Sequence, residues 1–288
     1  MLKNKGNFIP GTLSHEYWID YLRTFACLQV VAIHTTAYQR NILELSALYP
    51  YIRFSIQMAV PIFFLISGYV LMKRYVYGIE NYCSYYRKRS CRVLWPYFTF
   101  SILYISLRII IEYSGIYSLR TIEYTPFQFF TLLKKLFFAG AAMHLYFLLS
   151  IYLIYLLFPL IRLLCINRWA SLIVLLIYSL SAPFFMNYYK NMNLSLPKPD
   201  VFQASILGMK YFLIGINLYW FQSVLFAPIK KFAPLLLVGS LSIAFFLNSY
   251  SFMSNLNLSG YFLMLFYIVF AIYLGRYKSN MIRQFAGF

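Results

Sequence analysis

The chain has 288 residues, of which 62% are apolar, 22% aromatic and 11% charged. A water-soluble domain carries roughly 25% charged residues, so this composition excludes an ordinary soluble fold, and its apolar content excludes a disordered chain. The formal net charge is +18, but no basic soluble segment is present to bind nucleic acid, so we expect no nucleic-acid partner. The composition predicts an all-α polytopic membrane protein whose natural partners are membrane lipids.

Eight stretches are apolar enough to cross the hydrocarbon core, for which a helix needs about 20 residues. They are residues 18–38, 51–72, 93–113, 143–161, 169–187, 201–220, 232–249 and 258–275. A further apolar run at 127–140 is short and contains Lys134 and Lys135, so we expect it to be interfacial or re-entrant. The sequence therefore predicts eight transmembrane helices and one short segment that does not cross.

The positions of Lys and Arg predict the orientation of these spans. Most of the 25 basic residues fall in segments that face the cytoplasm if the N-terminus is cytoplasmic. Residues 1–17 lack the apolar core and cleavage site of a signal peptide. We therefore expect a cytoplasmic tail at 1–17, a membrane domain at 18–275 and a second cytoplasmic tail at 276–288. The spacing of Cys and His suggests no metal site.

The first predicted span contains three ionisable residues, Asp20, Arg23 and His34. Such residues are costly within a bilayer and are functional candidates by default. On a helix, Arg23 and His34 lie about 16 Å apart along the axis and about 20° apart in azimuth, so they share one side. Asp20 lies three residues before Arg23 and can pair with it. In the alternative interpretation, Arg23 reaches the inner interface and His34 hydrogen-bonds a neighbouring helix.

Two further segments carry candidate residues. In the second span, Pro61 frees backbone groups that a neighbour or water must satisfy, and Ser67-Gly68 allows a helix or a ligand to approach closely. Simple kinked packing is the alternative explanation. The basic loop after this span contains Arg89 and Arg92, whose spacing would let them hold phosphates on a helix, although positive charge there also anchors the topology.

In their order and spacing, these runs resemble the acyltransferase-3 family. Its members are bacterial integral membrane enzymes that O-acylate, most often O-acetylate, cell-surface sugars. The resemblance is carried by Arg23 and His34 with ten residues between them, the Pro61-x-Phe-Phe-x-x-Ser-Gly68 run, Arg89-x-x-Arg92 followed by Pro96, His144-Leu-Tyr-Phe-Leu148 and Tyr211-Phe-Leu-Ile-Gly215.

The resemblance implies a multi-pass protein of the bacterial inner membrane that uses acetyl-CoA or another acyl-CoA as donor substrate, with no bound cofactor. The polyanionic head of acyl-CoA cannot enter hydrocarbon cheaply, so it is expected at the inner rim. The residues placed to hold it are Lys88, Arg89 and Arg92, and Arg23 is a further candidate. The neutral pantetheine arm would carry the thioester towards His34.

The same resemblance assigns the catalytic roles to His34 and Arg23. His34 would act as general base on a sugar hydroxyl or would accept the acyl group transiently. We expect Asp20, Ser67 and Gly68 to be supporting residues. Among them, Asp20 can orient Arg23. His144 and Tyr146, at the outer end of their span, would contact a polysaccharide or lipid-linked sugar acceptor, and an aromatic belt is the alternative role of Tyr146.

One departure from the family pattern and two other functions stay open. Relatives usually continue into a final helix with a run like Ser-Tyr-Gly-Ile-Tyr-Leu-Leu-His, whereas this chain stops at residue 288 where that helix would begin. We therefore expect a truncated or naturally short member, and a catalytically inactive remnant is one alternative. A transporter or flippase for a lipid-linked sugar or small anion is the other, although paired broken helices in two repeated halves are not apparent.

Overall fold

The computed structural model describes residues 16–38, 49–113, 145–191, 201–249 and 258–276, and the regular structure in these ranges is helical throughout. The interfacial or re-entrant segment predicted at 127–140 lies outside the described residues. The helices are α1 (Tyr17–Tyr38), α2 (Tyr49–Ile56), α3 (Ala59–Tyr75), α4 (Tyr82–Tyr113), α5 (Tyr146–Leu164), α6 (Arg168–Asn191), α7 (Val201–Ser249) and α8 (Leu258–Leu274).

Four helical stretches are long and apolar enough to cross a membrane by length and composition. They are Tyr51–Tyr75, Tyr146–Leu164, Arg168–Tyr189 and Val201–Asn248, and a shorter apolar helix covers Ser259–Leu274. The all-α, membrane-protein character of the chain is thus supported over the described residues, and the number of eight spans stays a prediction.

A break in the backbone divides the second predicted span into α2 and α3. Residues 57 and 58 form a turn, and Pro61 lies in the first turn of α3. A proline leaves the carbonyl four residues earlier without its usual helical partner, and here that residue is Gln57, within the turn. The carbonyl of Ser55 accepts hydrogen bonds from Gln29 Nε2 at 3.2 Å and Tyr267 OH at 3.1 Å. Neighbouring helices thus satisfy the Ser55 carbonyl beside the break. The carbonyl that Pro61 frees is a different one, that of Gln57.

The basic run before the third predicted span is helical rather than a loop, which corrects the sequence interpretation. Helix α4 begins at Tyr82, and the Asn81 side chain accepts a hydrogen bond from the Ser84 backbone N–H at 2.9 Å. Asn is among the best N-terminal capping residues, and Lys and Arg are good helix formers. The cap therefore starts the helix before the apolar part of the sequence, and the basic side chains occupy helical positions.

Helix α7 covers two predicted spans and the short segment between them. It has 49 residues, or about 74 Å at the usual rise, whereas the hydrocarbon core is about 30 Å thick. Phe232 has non-helical backbone angles (φ −103°, ψ 17°), and Pro228 and Pro234 flank it. The helix is thus interrupted at Phe232, where the predicted span 232–249 begins. Residues 221–231, which lie between two predicted spans, are helical.

The chain divides into two compact units. The first contains residues 1–63 and 222–288, and the second contains residues 64–221. In the first unit, α1 packs against α2 and α8, with ring contacts that include Phe25 on Phe270 at 5.2 Å between centroids. In the second unit, α5 packs against α4 and α6, around buried rings such as Phe158 and Phe212.

Within the second unit, α3 and the first half of α7 cross at glycines. A Cβ added to Gly68 would overlap the Phe212 carbonyl, and one added to Gly215 would overlap the Leu65 carbonyl. Gly208 lies against the ring of Phe64 in the same way. Small residues permit this close backbone approach in membrane proteins. The close partner predicted for Ser67-Gly68 is therefore a helix, and two of the runs on which the resemblance rests pack against each other.

Candidate functional site

Helix α1 places Arg23 and His34 on one uninterrupted helix. The helix is continuous from Tyr17 to Tyr38, which is the condition for their shared azimuth. Arg23 Nη1 lies 3.8 Å from Asp20 Oδ1, so the predicted pairing is present. The Asp20 side chain is 6% exposed and that of Arg23 is 38% exposed. The buried carboxylate thus restrains the guanidinium near the N-terminus of α1.

The His34 imidazole lies outside the packed face of α1. That face is formed by buried residues such as Trp18, Leu22, Ala26 and Gln29, whereas Cys27 and His34 are exposed. Thr35, next to His34, is also exposed and donates its hydroxyl hydrogen bond to backbone carbonyls of its own helix. The side of α1 that carries His34 therefore faces away from the contacts that α1 makes with α2 and α8.

Ser67 has a specific side-chain partner in the second unit. Its Oγ lies 3.0 Å from the hydroxyl oxygen of Tyr155 on α5, and either group can be the donor. The Tyr155 side chain is buried. Gly68, the residue after Ser67, packs closely against the backbone of α7. Ser67 is therefore fixed by this backbone contact as well as by its hydrogen bond.

Arg89 lies between aromatic rings. Its guanidinium carbon is 5.4 Å from the ring centroid of Tyr155 and 5.8 Å from that of Tyr85. The Nε atom is buried and has no hydrogen-bond partner among the described residues. The Tyr85 hydroxyl donates to the Tyr155 backbone carbonyl at 2.8 Å, which ties the Tyr85 ring to α5. We refer to Ser67, Tyr85, Arg89 and Tyr155 as the Arg89 cluster.

The other predicted cations of α4 differ from Arg89 in burial. Lys88 and Arg92 are exposed, whereas Arg89 is half-buried. Ser90 on the same helix is linked to α5 through a hydrogen bond between its Oγ and the Tyr152 hydroxyl at 2.9 Å. The helical register therefore directs the Arg89 side chain into the α4–α5 contact and leaves Lys88 and Arg92 exposed.

The predicted acceptor residues are described only in part. His144 lies outside the described residues. Tyr146 opens α5, is half-buried, and packs against a hydrophobic cluster of Tyr97, Leu145 and Val201. Its ring therefore already has an apolar environment within the protein.

Two tyrosines of the Arg89 cluster were missed by the sequence analysis. Tyr85 precedes Arg89 by four residues, so the helical i,i+4 rule could have paired them once the basic run was known to be helical. Tyr155 is distant in sequence, and no local pattern connects it with Arg89. Among the described residues, no group of three His, Cys, Asp or Glu side chains is placed to hold a metal ion.

The described candidate residues thus fall into two sets. The first unit contains Asp20, Arg23 and His34 on α1, and the second contains the Arg89 cluster with Gly68, Lys88, Arg92 and Tyr146. Residues 16–286 match the profile of the acyltransferase-3 family, which is described as an acyltransferase domain. The chain belongs to the acyltransferase-3 family. This acyltransferase-3 protein has no match among curated proteins or among solved structures. The match includes both sets of residues and every run on which the resemblance was based.

Proposed function

We propose that this acyltransferase-3 protein moves an acyl group, in the simplest case acetyl, from cytoplasmic acyl-CoA to a hydroxyl of a cell-surface or lipid-linked polysaccharide. The observation that carries the proposal is the family match over residues 16–286. The proposed location is the bacterial inner membrane, with the N-terminus in the cytoplasm, where acyl-CoA is available.

The cations at the start of α4 form the proposed donor site. Arg89 is half-buried and has no carboxylate partner among the described residues, so its charge can be balanced by an anion from outside the chain. Lys88 and Arg92 lie on the same turns of α4 and are exposed. A guanidinium can donate two parallel hydrogen bonds to a phosphate, which suits the polyanionic head of acyl-CoA.

In the proposed reaction, His34 removes the proton from the attacking sugar hydroxyl. The sugar oxygen then forms a bond with the thioester carbonyl carbon, the carbon–sulfur bond breaks, and the CoA thiolate takes a proton from the imidazolium. Transient acylation of His34 is the alternative route. Arg23, restrained by Asp20, would help to hold the donor. His144 and Tyr146 are proposed to contact the acceptor sugar.

A label-transfer experiment tests this function. Membranes that contain the protein are incubated with acetyl-CoA labelled in the acetyl group, and label in the polysaccharide is counted. We expect transfer with the wild-type protein and its loss with His34→Ala, since the general base is absent. Thr35→Ala is the matched control, because Thr35 is an exposed polar neighbour on the same helix, and it should retain transfer.

Two results would contradict the proposal in different ways. Undiminished transfer by the His34→Ala variant would remove His34 from the mechanism and leave the enzyme class intact. Movement of a sugar or anion across the membrane with no covalent labelling would favour a transporter instead. Protein levels are compared by immunoblot so that poor insertion is not mistaken for loss of catalysis.

A further inference from the structure

We propose that Tyr155 is a positioning residue for donor binding. Its ring supports the guanidinium of Arg89, and its hydroxyl ties this support to Ser67 on α3. The inference rests on the proposed function, because it concerns how Arg89 is held for the anionic head of acyl-CoA. It adds a residue on α5 to the cations that the sequence analysis assigned to the donor site.

The first step concerns the charge of Arg89. Its guanidinium is taken partly out of water, and its buried Nε has no hydrogen-bond partner among the described residues. A partly buried charge needs compensation for its lost hydration. The rings of Tyr155 and Tyr85 supply part of it, with ring centroids 5.4 Å and 5.8 Å from the guanidinium carbon. Both distances are within the range of about 6 Å over which cation–π attraction operates.

The second step concerns the hydrogen bonds that Arg89 keeps available. A cation–π contact uses none of the N–H donors of a guanidinium, so those donors can still bind phosphate oxygens. Contacts with two rings also restrict the rotamers of a long side chain. Ordering such a side chain on binding costs conformational entropy. Rings that hold Arg89 in advance therefore favour donor binding.

The third step concerns what fixes Tyr155 itself. The residue is 9% exposed, its hydroxyl oxygen lies 3.0 Å from Ser67 Oγ, and its carbonyl accepts the Tyr85 hydroxyl at 2.8 Å. Tyr85 lies before the predicted third span, and burial raises its pKa, so the phenol stays protonated and continues to donate. Side chains from α3 and α4 thus hold Tyr155, and the rings have little freedom to turn away from Arg89.

The neighbouring turn of α5 provides a matched control. Tyr152 lies one turn before Tyr155, and its hydroxyl oxygen is 2.9 Å from Ser90 Oγ on α4. Both tyrosines therefore join α5 to a serine of another helix through the same kind of hydrogen bond. The partner of Tyr152 is Ser90 rather than the Arg89 guanidinium. Substitutions at Tyr152 thus report the general cost of disturbing the α4–α5 contact.

The test measures binding of CoA to the purified protein in detergent by calorimetry. We expect Tyr155→Leu to weaken binding by roughly tenfold, the order of a desolvated cation–π contact. Tyr155→Phe keeps the ring and should weaken binding by less than about threefold. Tyr152→Leu and Tyr152→Phe should leave the affinity unchanged. Thermal unfolding of each sample shows that the variants are folded.

A double variant separates positioning from a purely structural role. If Tyr155 acts through Arg89, Tyr155→Leu should weaken binding much less in an Arg89→Ala background than in the wild-type protein. The adenosine bisphosphate half of CoA should show the same pattern as CoA itself, because Arg89 is proposed to hold the head group.

Each outcome has a distinct meaning. Wild-type affinity in Tyr155→Leu, or an equal loss with and without Arg89, would overturn the inference and leave the donor proposal standing. An equal loss in Tyr152→Leu would reduce Tyr155 to one of several packing residues and would also overturn it. If the wild-type protein bound neither CoA nor its adenosine bisphosphate half, the proposed donor itself would be wrong, and the inference would fail with it.

Discussion

At the scale of single residues, burial differs between side chains that carry the same charge in one run of the sequence. Lys88, Arg89 and Arg92 belong to one basic run, yet only Arg89 turns towards the tyrosines of α4 and α5, whereas the other two are exposed. On α1, Asp20 and Arg23 form a pair at the buried end of the helix, and His34 lies beyond the packed face. Local spacing predicts the Asp20–Arg23 contact, because i,i+3 neighbours on a helix are close.

A charge-preserving substitution tests the donor role of the α4 arginines. Replacing both Arg89 and Arg92 by Lys keeps the positive charge that sets topology but removes the planar, bidentate donor. We expect the apparent KM for acyl-CoA to rise by roughly tenfold, which corresponds to about 1.4 kcal/mol, while the protein inserts normally. The measurement is initial rate against acyl-CoA concentration.

Arg87→Lys is the control for this double variant, because Arg87 is exposed on the same basic segment. It should leave the apparent KM for acyl-CoA unchanged. If the Arg89→Lys/Arg92→Lys protein also keeps the wild-type value, the two arginines act only as topological anchors.

At the scale of helices, each interruption or crossing has a local cause. The break between α2 and α3 precedes Pro61, and the interruption of α7 lies between Pro228 and Pro234. Helix α4 begins at the Asn81 cap. The glycines of α3 and α7 allow backbones to touch where any side chain would separate them. The runs on which the family resemblance was based therefore include packing residues as well as candidate chemical groups.

Adding a methyl group at this crossing should destabilise the protein. In Gly215→Ala, the new Cβ would overlap the Leu65 carbonyl and lie 2.9 Å from the Tyr69 backbone nitrogen. Overpacking usually costs about 1–3 kcal/mol, and backbone atoms can yield less than side chains. We expect a lower midpoint of thermal unfolding in detergent and reduced accumulation in membranes.

Gly239→Ala is the matched control, because Gly239 also lies in α7 but a Cβ there would have no atom within 4 Å. Alanine is the better helix former by about 1 kcal/mol, so this variant should unfold at the same or a higher temperature. Equal unfolding temperatures for Gly215→Ala and the wild-type protein would show that α3 and α7 do not cross in this way.

At the scale of the whole molecule, orientation in the membrane is the property that the proposed reaction needs most. The donor site on α4 has to face the cytoplasm, and the predicted topology places residues 73–92 there. The native cysteines offer a direct measurement. Cys83 and Cys91 lie exposed on α4, whereas Cys165 after α5 is buried.

A membrane-impermeant maleimide should therefore label Cys83 and Cys91 in inside-out vesicles and not in intact cells. Burial raises the pKa of the Cys165 thiol to about 11, so it stays protonated and unreactive near neutral pH. Cys27 is also exposed, but it lies within the first predicted span, where the impermeant reagent should not reach it. We therefore expect the Cys83→Ser/Cys91→Ser variant to lose the label. Labelling of Cys83 and Cys91 in intact cells would mean that the predicted orientation is inverted, and the cytoplasmic donor site would be ruled out.

The sequence by itself determined the properties that depend on local chemistry. Apolar composition predicted helices suited to a bilayer, i,i+3 spacing predicted the Asp20–Arg23 pair, and the order of short runs indicated the acyltransferase-3 family. Each follows from residues close in the chain or from overall content. The start of α4 was placed too late, because the Asn81 cap precedes the apolar part of the helix.

The tertiary structure decided which distant residues meet. Tyr155 and Arg89 lie on different helices, so no periodicity could pair them, and the same holds for Ser67 with the Tyr155 hydroxyl. The close approach predicted at Gly68 had two possible partners, a helix or a ligand, and the packing of α7 identified the helix. Side-chain periodicity fixes which face of a helix is apolar, but the partner across that face depends on how all the helices pack together.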